Sequence, residues 1–123
     1  VSQSRQVSVV AGISCAYDLT LGLALLAAAD SFAALFGMVV PEPRTFVTIT
    51  GLLLVCVGLG YIAPWKAPDT HRTYMWIFGP VLKGAGALVF VLEHLAGAPA
   101  SYLVFAASDG TLALVTLAVL LKR

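Results

Sequence analysis

Apolar residues run through this chain in four long blocks, and polar residues gather in the breaks between them. The blocks cover about residues 7–29, 45–63, 72–96 and 101–121. Each is close to the ~20 residues an α-helix needs to cross the hydrocarbon core of a bilayer. Every backbone N–H and C=O in lipid must be paired internally, and four spans are too few to close a barrel. The pattern therefore predicts an all-α fold: one transmembrane domain, a four-helix bundle.

The breaks set the topology. Pro64 to Arg72 is a short polar link, and Ala96-Gly97-Ala98-Pro99-Ala100 is a tight hairpin. Short links make successive helices antiparallel, which gives an up-down bundle. The longest break follows the first block. There Asp30-Ser31 is placed to cap a short helix over 31–38, with Phe32, Leu35 and Phe36 on one face. Gly37 is expected to end it and Pro41-Glu42-Pro43 to form a stiff turn. Such a helix suits the membrane surface.

Composition agrees with the pattern. Of 123 residues, 60% are hydrophobic and 11% charged, against about 25% charged in soluble domains. A small soluble fold cannot hide that much apolar surface. The first block is too long for a secretory signal core and is followed by further spans. Net charge is +1 with no basic run, so nucleic acid is excluded as a partner.

Charge then sets orientation. Arg5, Lys66, Arg72, Lys122 and Arg123 fall on one side of the spans, and Arg44 alone on the other with Asp30, Glu42 and Glu93. The positive-inside rule places both termini and the middle link in the cytoplasm. Tyr61, Trp65, Tyr74 and Trp76 are expected in an aromatic belt at that face, with Phe32, Phe36 and Tyr102 at the other.

The candidate chemistry lies inside the spans. Asp18, Lys83 and Asp109 are each about 11 or 12 helical residues from the cytoplasmic side, about 16–18 Å deep at ~1.5 Å per residue. A charge at the bilayer centre costs about 2.5–3.5 kcal/mol even on the lenient insertion scale. The three are therefore expected to point inward and meet. Small residues make room for them: Ala11, Cys15, Asp18 and Gly22 share a stripe on the first span, Thr48, Gly51, Val55 and Gly58 a seam on the second, and Gly79, Lys83 and Gly86 a face on the third. Two carboxylates and one ammonium sum to minus one. Balance requires a protonated Asp or partial compensation by Tyr17, Ser108 or Thr111. Pro80 follows Gly79 one turn before Lys83 and is expected to free a carbonyl near the lysine. Tyr61 is a further supporting candidate. Against a functional site stands a purely structural ion pair that fixes helix register.

Other polar residues offer less. Glu93 and His94 point about 100° apart on a helix and are poor co-ligands. Asp69, His71 and Arg72 read as a polar turn and helix start. Cys15 and Cys56 lie in apolar spans without metal or redox spacing. No phosphate loop, nucleophile elbow or metal motif is present.

Gly58-Leu59-Gly60-Tyr61, Pro68-Asp69, His71-Arg72, Leu82-Lys83-Gly84 and Ser108-Asp109-Gly110 together give a layout that resembles small bacterial DoxX-like four-helix membrane proteins. The resemblance covers about residues 45–115. It implies a bacterial inner-membrane protein, and some members serve as small subunits of membrane oxidoreductase complexes. It assigns no reaction to Lys83 or Asp109.

Three functions are compatible with these features. Small size and the lack of catalytic motifs point to a non-catalytic accessory subunit of a larger membrane complex, with other membrane subunits and lipids as partners. The charged layer also suits a small proton- or solute-coupled transporter acting as a homo-oligomer. Alternatively it receives the headgroup of a lipid or quinone entering between helices. No cofactor or metal is expected beyond such a bound lipid or quinone.

Overall fold

A computed structural model describes residues 2–122. Among these there is no strand; the chain is four long apolar helices able to span a membrane, arranged as a bundle. Arg123, one of the cations used for orientation, lies outside the described residues. Helix α1 is Gln3–Ala27, α2 is Ala29–Leu35, and α3 is Thr45–Gly60. Helix α4 (Ile62–Lys66) extends α3, so the second span runs Thr45–Lys66. The third span, Arg72–Leu95, joins α5 (Arg72–Trp76), a π turn (Ile77–Val81) and α6 (Leu82–Leu95). Helix α7, Tyr102–Leu121, is the fourth span. This is a multi-pass membrane protein.

The span limits shift for local reasons. Span one starts at Gln3 because the Ser2 side chain accepts the Arg5 N–H at 3.2 Å and caps the helix. Span two passes Pro64 because that proline sits in the first turn of α4, where its missing N–H costs little. In span three Pro80 has no N–H to give its helix, and the chain widens there into the π turn rather than a simple kink.

The short helix between spans one and two starts at Ala29, two residues ahead of the expected start, with no side-chain cap. Asp30 is turned to Arg44 instead, at 2.6 Å. Gly37, at φ +67°, ends the helix as the sequence predicts. Phe32 and Phe36 pack on Phe105 of α7 with ring centroids 6.0 and 4.8 Å away. Leu35, expected on the same face, is 78% exposed. Phe90 and Tyr102 complete this aromatic cluster.

Two helix pairs make the bundle. Spans one and two meet through glycine: a Cβ on Gly22 would come 2.7 Å from the Gly51 carbonyl and 2.8 Å from the Val55 nitrogen. The backbones touch, as small-residue contacts in lipid allow. Spans three and four form the other pair, and α1 packs more loosely on α7. At the end carrying the termini, Val7, Val10, Cys15, Tyr61, Met75, Val119 and Leu120 form the core. Large apolar side chains such as Ile13, Leu53, Val89 and Leu114 face outward on every span, as helices in lipid require.

Candidate intramembrane site

Asp18 reaches the centre because α1 carries its small residues on one stripe: Ala11, Cys15, Asp18 and Gly22 are all buried. Lys83 stands two residues past the π turn and is likewise buried. Its Nζ lies 2.8 Å from Asp18 Oδ2, and each side chain is 4% exposed. Helical side chains lean toward the N-terminus, so Lys83 bends back along its own span. There its Nζ also donates to the Tyr61 hydroxyl at 3.3 Å and the Phe78 carbonyl at 3.5 Å. Tyr61 donates in turn to the same Phe78 carbonyl at 2.7 Å, and its ring centroid lies 4.9 Å from the ammonium.

The carbonyl that the sequence expects near the lysine is thus Phe78's, presented by the π turn. Pro80 lies in that turn. Gly79 serves packing: a Cβ there would come 2.6 Å from Thr116 Cγ2 of α7. Tyr61 is fully buried and is not a belt residue. Its neighbour Tyr74 meets it edge to face, with ring centroids 5.1 Å apart, and donates to the Val57 carbonyl.

Asp109 does not join this pair. Lys83 bonds Asp18 alone among the carboxylates, and the third charge is served by Tyr17, whose hydroxyl donates to Asp109 Oδ1 at 2.8 Å. The Tyr17 oxygen also sits 2.7 Å from Ser108 Oγ. Ser108 can donate there or to the Phe105 carbonyl at 3.1 Å. The other Asp109 oxygen lies over Gly86, where a Cβ would be 3.6 Å away. Tyr17 therefore stands between the two halves, its ring centroid 5.9 Å from Lys83 Nζ and its hydroxyl on Asp109.

The second half is open. Tyr17, Ser108 and Asp109 are only partly buried. Tyr17 and Ser108 line a lateral groove of about 690 Å³ between α1 and α7, whose other walls include Ile13, Val104 and Leu112. Thr111 lines it too.

Thr48 takes no part. It is exposed near the start of α3, beside Arg44, while Gly51 and Gly58 of the same seam are buried. Ser14, which the sequence did not single out, is fully buried one turn from Asp18, and its hydroxyl is without a hydrogen-bond partner among the described residues. A small hydroxyl in an apolar run gives no signal of that kind. His94 uses Nδ1 on the Ala98 carbonyl at 2.9 Å, at the end of α6. Asp69 accepts the Ser4 hydroxyl at 2.6 Å, and Arg72 donates to the Leu120 carbonyl at 2.8 Å. Both cysteines are free, Cys15 buried and Cys56 exposed.

The chain matches no family model, no curated protein and no solved structure. The DoxX-like layout remains a resemblance of short motifs and lends no role to these residues.

Proposed function

We propose that this chain is a non-catalytic accessory protein of the bacterial cytoplasmic membrane, both termini inside, that binds a lipid-soluble carbonyl compound of the quinone class. One observation carries this: Tyr17 and Ser108, in the half of the intramembrane polar layer that no cation closes, line a lateral apolar groove, with Asp109 behind them on the Tyr17 hydroxyl.

Depth selects the ligand. Tyr17 is next to Asp18, near the middle of a hydrocarbon core about 30 Å thick. Charged phospholipid headgroups stay at the interface, whereas neutral carbonyl compounds dissolve at that level. A ligand carbonyl would accept the Ser108 proton, while Tyr17, its own proton on Asp109, holds Ser108 at the groove. The groove walls supply apolar contact with few polar anchors, the usual make-up of a small-molecule site. Five of six flanking cations on one side favour the stated orientation. The accessory role, beside a larger membrane complex, rests on the short links between the spans and the lack of a nucleophile–base pair.

The test is quinone content. Protein purified from quinone-containing membranes should carry extractable quinone in a fixed ratio. Ser108→Ala should lower its affinity about tenfold, the loss of one hydrogen bond of about 1.4 kcal/mol, and Tyr17→Phe should lower it too, by removing the hydroxyl that positions Ser108. Quinone content equal in wild type and both variants would refute the proposal.

A further inference from the structure

At the end of the bundle away from the termini, a second cavity lies beneath α2. It holds about 560 Å³ and is walled by Phe32, Ala33, Met38, Val47 and their neighbours. Leu25, Phe32, Met38 and Thr50 also border an inner chamber of about 220 Å³, which Leu21, Leu54, Phe90 and Phe105 close from all four spans. The two share these walls and lie one after the other, from the ends of the spans toward the layer of Asp109 and Tyr17.

Its chemistry is that of hydrocarbon. Thr50 is the one polar side chain on the inner chamber, and its hydroxyl is spent on the Phe46 carbonyl of its own helix at 2.7 Å. Nothing there can hold a polar group. The mouth is different. A hollow of about 340 Å³ shares Leu25, Ala29 and Val47 with the large cavity and is lined by Asp30, Ser31 and Arg44. Arg44 is half-exposed, with Nη2 on Asp30 at 2.6 Å and Nε on Glu42 at 3.3 Å. These acids hold its pKa above the ordinary value, the Asp30 hydrogen bond most strongly. A guanidinium has five N–H donors, so others remain for an anion. Two carboxylates around one cation leave a local excess of negative charge, which suits an ammonium nearby.

We propose that this cavity binds one acyl chain of a zwitterionic phospholipid, its phosphate on Arg44 and its ammonium facing Asp30 and Glu42. The mouth lies where α1 ends and α3 begins, at the depth of lipid headgroups. The large cavity is within the ~300–1,000 Å³ of ordinary ligand sites. A purely anionic lipid would meet both carboxylates without compensation.

The probe is palmitoyl-oleoyl-phosphatidylethanolamine, added to delipidated protein in detergent and followed by native mass spectrometry. Wild type should retain one phospholipid per chain. Thr50→Phe fills the throat between the chambers and should weaken retention at least tenfold; Val47→Phe does the same from the mouth if Thr50→Phe does not fold. Arg44→Gln should weaken it several-fold, and phosphatidylglycerol should bind less well than phosphatidylethanolamine. Tyr17→Phe should leave retention unchanged, which separates this site from the quinone groove. Equal retention by the wild type and the filled variant, or no retained lipid in the wild type, overturns the proposal. So does binding of phosphatidylglycerol at equal strength irrespective of Arg44.

Discussion

Asp18 and Asp109 are the same residue type at nearly the same depth, yet they have different surroundings. Asp18 is closed in by Lys83 at 2.8 Å, with Tyr61 and the Phe78 carbonyl satisfying the ammonium. Asp109 has the Tyr17 hydroxyl at 2.8 Å and a groove beyond it. The cause is helix packing. Span two presses its glycines onto α1 until backbones touch, and the lysine has a sealed space to fill. On the other side α1 meets α7 more loosely, leaving a groove beside Tyr17 and Ser108. A closed ion pair fixes how helices register. Two hydroxyls at the edge of an apolar groove, one of them held by a carboxylate, can still receive a ligand.

The contrast can be broken most forcefully at Lys83. Lys83→Met leaves Asp18 buried without its partner and should cost about 3–5 kcal/mol. The double variant Asp18→Leu with Lys83→Met should regain most of that, because removing both charges removes the desolvation cost as well. Unfolding in mixed detergent micelles measures both. If Lys83→Met unfolds no earlier than Asp109→Asn, the closed and open halves are not distinct.

The packing cause is tested at Gly22. Gly22→Val drives a side chain into the Gly51 carbonyl and Val55 and should destabilise by about 1–3 kcal/mol. The same change at Gly86, where a Cβ meets only ordinary contact, should be milder in the same assay. Equal losses would remove helix contact as the reason for the difference.

Tyr17→Phe should cost about 1 kcal/mol of stability while reducing quinone retention. Stability lost on the scale of Lys83→Met would make the open half as structural as the closed one. The smallest effect belongs to the cysteines. Cys56 should react with a membrane-permeant maleimide in the folded protein and Cys15 should not, since the first is exposed and the second buried. Labelling of Cys15 at the same rate would mean that the α1 interface opens.

The four spans, their antiparallel order and the common level of Asp18, Lys83 and Asp109 are legible in the sequence. Those features depend on hydropathy and rise per residue, which are local properties of the chain. The stripe of Ala11, Cys15, Asp18 and Gly22 was legible for the same reason, and all four are buried. Periodicity does not tell which helix each stripe faces: Thr48 shares a seam with Gly51 and Gly58, yet it is exposed while they are buried. From its position near the end of span two, Tyr61 reads both as an interface aromatic and as a supporting residue of the charged layer. Only the lysine bending back along span three, and the π turn offering Phe78, made it a core ligand of the ammonium. The sequence placed three charges at one level and asked how they balance. Their partners depended on the spacing between helices, a property of the assembled bundle: it gave Lys83 to Asp18 and left Asp109 to Tyr17 beside the groove.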